Sequence, residues 1–294
     1  MRPARRFVLL ALGAAIACGP PAPAPREPAT VLFVTDFGVK DGAVPVCKGV
    51  MWSIEPRLHV VDVTHQIPPY DVETAAEVLE QTLPFYPAGT VTVAVVDPGV
   101  GSERKSIAVL TKRGHLLVGP DNGIFTLVID AEGLDRAVEL RERRYFRPGE
   151  KSFTFHGRDV FSPVAAHLAR GTPIDSLGPP AVPIRLPMVP PRITNGIVSG
   201  TVRYIEDPYG NVVTNIPAAF LDSAALHVGD SLQVRVASKV LRLPWRATFS
   251  DVPNGMPLAV MHSRGLMSFS INQGDFAATY GAKRGQAVTL KRLP

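Results

Sequence analysis

What most limits the folds open to this chain of 294 residues is a change of hydrophobic pattern partway along it. From residue 30 to about 140, apolar runs alternate with amphipathic stretches: TVLFVTD (30–36), LHVVDV (58–63) and TVTVAVVD (90–97) are separated by segments of helical character. In the second separator, Val72, Ala75, Ala76 and Leu79 fall at helical spacing behind Asp71, a suitable N-cap. Strand, helix, strand, helix, strand predicts an α/β layered domain with a central, largely parallel sheet. SIAVLTK (106–112) and HLLVGP (115–120) continue it as a hairpin. SPVAAHLARG predicts a helix capped by Ser162, with Pro163 at its first position and Gly171 at its end. The proline-rich stretch 171–196 follows neither period and is expected to connect two domains. Beyond it, GIVSGTVRYI, VVTNI, SLQVRVA, KVLRL, PLAVMH, LMSFSI and QAVTLKRL are short runs that predict a smaller all-β, barrel-like domain. The expected organisation is an α/β catalytic domain over 30–190 and a β domain over 197–294.

The N-terminus reads differently. MRPARR followed by FVLLALGAAIA has the form of a signal peptide over 1–18, with an apolar run too short to span a bilayer comfortably. Its end, Ala15-Ile16-Ala17-Cys18, resembles a lipobox, which makes Cys18 the expected lipidation site. Five prolines between residues 20 and 28 then form a stiff tether over 19–29. The expected location is therefore outside the cytoplasm, on the periplasmic or outer face of a bacterial membrane, touched only through the N-terminal lipid. Setting aside Arg2, Arg5 and Arg6 brings the 31 basic side chains close to the 26 acidic ones. With no basic run and no RNA-binding aromatic motif, a nucleic-acid partner is not expected. Cys47, in the apolar AVPVCKGVMWSI, is left without a disulfide partner and reads as a core residue.

Ligands of α/β sheets bind at the carboxyl ends of the strands. Asp36 and Asp97 both close apolar strands, and Asp41 begins the next helix. VVDPGVGSER adds Arg104, and FHGRDVF supplies His156 from a separate loop. Each residue alone has an ordinary explanation: Asp97-Pro98-Gly99 suits a turn, Asp36 and Asp41 suit caps, and a single Arg or His is commonly solvated or structural. A carboxylate, a guanidinium and an imidazole converging from two loops can instead orient and deprotonate a water molecule. Asp36, Asp41, Asp97, His65 and His156 contain no close ligand pair, so no metal site is expected. Phosphate-binding, dinucleotide-binding, zinc-protease and serine-hydrolase motifs are lacking.

The segments TDFGVKDGAVPVCKG, VTHQIPPYDV, VVDPGVGSERK, GPDNG, FHGRDVFSP, EDPYGNVVTNI and HSRGLMSFSIN, in this order, resemble the adenosine-forming S-adenosyl-L-methionine (SAM) hydrolases, or SAM hydroxide adenosyltransferases, relatives of the bacterial fluorinase and chlorinase. The resemblance covers residues 30 to 294. It implies a homotrimer with active sites between the N-domain of one subunit and the C-domain of the next, SAM as substrate and no cofactor. It further implies that Asp97, Arg104 and His156 activate water, that Asp36 binds the ribose with Asp41 near it, and that Tyr70 and Phe155 line the adenosine pocket. From the second domain it implies Asn211, Phe249 and Asn272 at adenine, and Ser263 and Arg264 at the methionine carboxylate. Glu206 stands where an aspartate usually takes the methionine amino group, with Asp207 adjacent. Ala43 stands where halogenating relatives carry a serine.

The chemistry suits these residues. A sulfonium makes the ribose C5′ electrophilic and leaves as a neutral thioether, so an enzyme need only hold an oxygen nucleophile in line and remove its proton. The expected division of labour has Arg104 stabilising hydroxide character, Asp97 orienting the water, and His156, an imidazole that titrates near neutrality by default, taking the proton. A SAM- or nucleoside-binding lipoprotein without turnover would need no such trio. A halogenase would not place the carboxylate of Asp97 where a halide must sit.

Overall fold

The computed structural model describes residues 27–150 and 152–293. The signal peptide, Cys18 and most of the tether lie outside the described residues.

The first half is an α/β unit. Its strands are β1 (Val31–Thr35), β2 (Val60–Thr64), β3 (Val91–Val95), β4 (Ser106–Thr111), β5 (Leu116–Pro120) and β6 (Leu134–Glu139). They form one six-stranded sheet in the order β2-β1-β3-β5-β4-β6. β2, β1, β3 and β5 run parallel, while β4 is antiparallel to both β5 and β6, the hairpin expected from the sequence. Helices α1 (Ala43–Ile54) and α4 (Ser162–Ala169) pack with Val31 and Phe33 on one face; α2 (Val72–Thr82) and α3 (Thr126–Glu132) pack with Leu32 and Val34 on the other. A strand covered on both faces must be apolar throughout, which is why β1 is buried at every position. Cys47 belongs to this core, where burial pushes its thiol up to about 11 although a hydrogen bond to Ser162 opposes the shift. Asp71 caps α2 by accepting from the Thr74 N–H at 2.9 Å.

Ser162 does not cap its helix, contrary to the sequence expectation. A π-helical turn over Gly157–Phe161 precedes it, and the Ser162 N–H donates to the Gly157 carbonyl, so Ser162 lies inside a helix that begins one turn earlier. His156, with α-helical backbone angles, stands at the true N-terminus. Such π turns recur where a helix is adapted to a functional site.

The second half is β7 (Arg192–Thr194), β8 (Ile197–Glu206), β9 (Asn211–Pro217), β10 (Ser231–Val236), β11 (Lys239–Arg246), β12 (Pro257–Met261), β13 (Leu266–Ile271) and β14 (Ala287–Arg292), with short helices α5 (Ala218–Ser223) and α6 (Phe276–Tyr280). The order is β14-β10-β11-β12-β13-β9-β8-β7, and a further β14–β8 pairing closes the sheet into a barrel with β7 outside the ring. Alternate residues such as Leu232, Val234 and Val236 fill its interior. β7 arises within the stretch read as a connection, because Arg192, Ile193 and Thr194 add to the free edge of β8.

The halves meet through charge. Arg284 donates to Thr74 and Asp71, Arg203 to Glu80, and the Arg264 guanidinium pairs with Glu80, so three barrel arginines grip α2.

Candidate active site

The carboxyl ends of β1 and β3 deliver Asp36 and Asp97 to one small cavity of about 110 Å³, which Tyr70, Val100, Phe155 and His156 help to enclose. Two loops meet over it. Gly101, at φ +81°, lets them approach: a Cβ there would sit 2.6 Å from the Phe153 carbonyl oxygen. The loop that carries His156 is anchored by Asp159, which accepts from Arg147, Arg158 and the Ser152 N–H at 2.6, 2.7 and 2.8 Å. Burial opposes ionisation of Asp159, but these hydrogen bonds outweigh it and hold the carboxyl well below the usual carboxylate range.

Asp97, Arg104 and His156 form one hydrogen-bonded unit. Arg104 Nε donates to Asp97 Oδ1 at 2.8 Å, and Nη2 donates to Asp97 Oδ2 and to His156 Nδ1, the latter at 2.9 Å. Nη1 donates to the Lys105 carbonyl at 3.0 Å and to Ser106 Oγ at 2.9 Å. The guanidinium also lies 5.3 Å from the centre of the Phe161 ring. A guanidinium has five N–H donors, and all five are committed. In this arrangement no Arg104 N–H is left over for a further acceptor; the guanidinium holds the carboxylate and the imidazole together. The same bond sets the tautomer of His156. Arginine can only donate, so Nδ1 must accept and the ring proton belongs on Nε2. Protonating Nδ1 would set donor against donor. The Asp97 side chain is 6% exposed and lines the cavity.

Around this unit, Asp36 Oδ2 accepts from the Tyr70 N–H at 3.0 Å and thereby holds Tyr70 at φ 68°, unusual for a side chain of that size. Phe155 stands edge-on to Phe37 at 5.7 Å. Asp41 is not among the residues lining the cavity: its carboxylate accepts from the Ala43 N–H at 2.9 Å at the start of α1.

The barrel carries a larger cavity of about 690 Å³ that brings together Glu206, Asn211, Phe249, Ser263 and Asn272. Glu206 accepts from Asn211 Nδ2 at 2.7 Å, and Asn272 Nδ2 donates to the Val252 carbonyl at 2.7 Å. Arg264 departs from expectation. Its guanidinium turns out of this cavity to Glu80 and to the Tyr204 hydroxyl at 3.0 Å, leaving only its backbone beside Ser263. The two cavities share no lining residue. His262 and Asp159, which the sequence reading did not single out, stand in quoted motifs; what marks them is their hydrogen bonding, which has no linear signature. Among the described residues, no group of three or more His, Cys, Asp or Glu is placed to hold a metal.

A mixed-sheet α/β domain with a small polar site, joined to a barrel with a roomier one, matches a two-domain family. The model of the SAM hydroxide adenosyltransferase N-terminal domain matches residues 31–178, and that of its C-terminal domain matches residues 200–289. The chain belongs to this family. It is 39% identical over 268 residues to the (R)-S-adenosyl-L-methionine hydrolase of Thermus thermophilus, covering 88% of this chain and 98% of that protein. To the hydrolase of the same name from Salinispora arenicola it is 42% identical, covering 88% and 97%. A fluorinase of Actinopolyspora mzabensis is 31% identical, covering 89% and 97%. A crystal structure of an uncharacterized conserved protein from Thermotoga maritima superposes with a TM-score of 0.85 at 37% identity, covering 89% of this chain and all of that one.

These matches overturn the expected location. The family match begins at residue 31, downstream of the leader, and 88% of this chain covers 98% and 97% of the two hydrolases. Among the described residues, no helix is long and apolar enough to cross a membrane. The exported, lipid-tethered assignment is withdrawn.

Proposed function

We propose that this protein hydrolyses SAM to adenosine and L-methionine. The observation that carries the reading is the saturated Arg104, which holds Asp97 and His156 rigidly while Asp97 faces a small cavity of about 110 Å³. Water attacks C5′, the C5′–S bond breaks with its electron pair going to sulfur, and the water proton passes to the Asp97 carboxylate. No acid is needed for the thioether. Positioning and an unreorganised carboxylate supply the acceleration.

The remaining residues take the roles their places support. Asp36 accepts from the ribose hydroxyls, Tyr70 and Phe155 flank the nucleoside, and Asn211, Phe249 and Asn272 receive the adenine. Glu206 takes the methionine ammonium; Ser263 and the Arg264 backbone take its carboxylate. As the family resemblance implies, the catalytic unit over 30–190 and the recognition unit over 197–294 complete each other across subunits of a homotrimer, and the separation of the two cavities within one chain is compatible with that. Fluorinase relatives raise halide transfer as the competing reaction, and the carboxylate in the cavity disfavours it by like-charge repulsion. The test is incubation of the purified protein with each sulfonium epimer of SAM. Adenosine and methionine in equal amounts, unchanged by chloride or fluoride, support hydrolysis; a 5′-halonucleoside, or no turnover of either epimer, overturns it.

A further inference from the structure

We infer that His262 is a positioning residue that builds an α-amino-acid site in the barrel cavity, linking the carboxylate that receives an ammonium to the turn that receives a carboxylate. The inference deepens the reading of SAM as substrate and rests on it.

His262 follows β12, and its side chain is 14% exposed. The turn it opens is tight: its N–H donates to the Leu266 carbonyl at 2.8 Å, its carbonyl accepts from the Gly265 N–H at 2.8 Å, and Gly265 takes φ +70°. Nδ1 faces the backbone N–H of Arg264 at 3.3 Å, and Nε2 faces Glu206 Oε1 at 3.3 Å. A backbone N–H can only donate. Nδ1 is therefore the acceptor, the ring proton sits on Nε2, and His262 donates it to Glu206. Asn211 donates to the other oxygen, Oε2. Glu206 thus has one donor on each oxygen and keeps further lone pairs for a cationic ligand. The ring is braced on its side by Tyr204, edge-on at 6.1 Å, and Tyr204 is itself held by Arg264 Nη1.

Glutamate has one more rotatable bond than aspartate, and a longer acid needs such bracing before its charge has a fixed place. An α-amino acid presents ammonium and carboxylate from a single carbon, so its two receptors must keep a set separation. One imidazole, with one nitrogen on Glu206 and the other on the turn of Ser263 and Arg264, keeps that separation.

The experiment uses the full chain and three variants, His262→Phe, His262→Gln and His262→Asn. Steady-state kinetics are read with SAM and with the dimethylsulfonium of 5′-deoxyadenosine, which keeps the sulfonium and nucleoside but has no amino-acid end. Calorimetry with L-methionine reads binding, and thermal melts read folding. The Phe variant is expected to raise KM for SAM and Kd for L-methionine about tenfold, the worth of a hydrogen bond to a charged group, with kcat within about twofold. It leaves the dimethylsulfonium substrate unaffected. The Gln variant, whose amide reaches the Nε2 position, recovers most of the loss, and the Asn variant, which cannot reach Glu206, does not. Equal losses with both substrates, or Gln and Asn behaving alike, overturn the inference, and that pair carries the test should the Phe variant melt below the assay temperature. Wild-type hydrolysis with an unchanged KM in the variants overturns it while the proposed function stands. His262-dependent methionine binding without hydrolysis does the reverse.

Discussion

The cavity at the ends of β1 and β3 and the cavity in the barrel differ in size, about 110 against about 690 Å³, and in what fixes their polar groups. In the first, the five donors of Arg104 are all taken by Asp97, His156, Lys105 and Ser106, and Asp36 is occupied with Tyr70. Little there can adjust. In the second, about 690 Å³ is bordered by Glu206, Asn211, Phe249 and Ser263, and Phe249 is 43% exposed at its rim. The difference separates two tasks. A water must be held within a few tenths of an ångström of its line of attack, whereas a long flexible substrate needs room and a few well-placed anchors.

The sharpest way to break this comparison is Asp97→Asn. It keeps the shape but removes the acceptor, and kcat should fall about 10³-fold while Kd for L-methionine stays unchanged by calorimetry. Equal damage to binding would mean that the two cavities do not divide the work. Arg104→Lys comes next. A lysine cannot span both Asp97 oxygens and His156 as a planar fork does, and a small displacement of the carboxylate should cost about 10²-fold in kcat, read by single-turnover kinetics.

A third test probes what joins the two regions. Burial pushes Glu77, on α2, up to about 7 against the pull of Arg284, Arg203 and Arg264. Between the ordinary glutamate range and pH 7 the folded protein keeps a proton that the unfolded chain has released, so stability is greatest below that window and is lost as pH rises through it. The loss should be on the order of 2 kcal/mol between pH 5 and 8, seen as a falling Tm. Glu77→Gln, with nothing to titrate, should flatten that slope; an unchanged slope would locate the pH dependence elsewhere.

Much of this was readable before the fold was known, and unevenly. Runs such as VLFVT and SLQVRV announce themselves because burial on two faces or one imposes a continuous or an alternating pattern. Asp97 is legible because strand ends are where such sheets bind ligands. Ser162-Pro163 misled because a cap signal is local, whereas the helix start is set by the π turn that seats His156. β7 was hidden because edge pairing is decided by the partner strand, not by its proline-rich flanks. The roles of Arg104 and Arg264 were least accessible. Whether a guanidinium is free or saturated depends on which acceptors surround it, and Glu80 lies far from Arg264 in the chain. The leader suggested a location that the family match, which begins downstream of it, does not support.

The smallest effect is expected at Phe249, and it sharpens the comparison because structure and recognition make opposite forecasts there. The ring projects from a 3-10 turn, Phe249–Asp251, whose backbone is held without it by a capping box between Thr248 and Asp251. Being 43% exposed, it contributes little to the barrel core. Phe249→Ala should therefore leave Tm nearly unchanged. As a surface on which an adenine stacks, the same ring should matter to substrate alone, raising KM roughly tenfold, the order of one base–aromatic contact, with kcat within about twofold. The dimethylsulfonium of 5′-deoxyadenosine should suffer the same loss as SAM, since both carry the base. A Phe249 effect confined to kcat would place the barrel rim in the chemical step and remove the division between the two cavities.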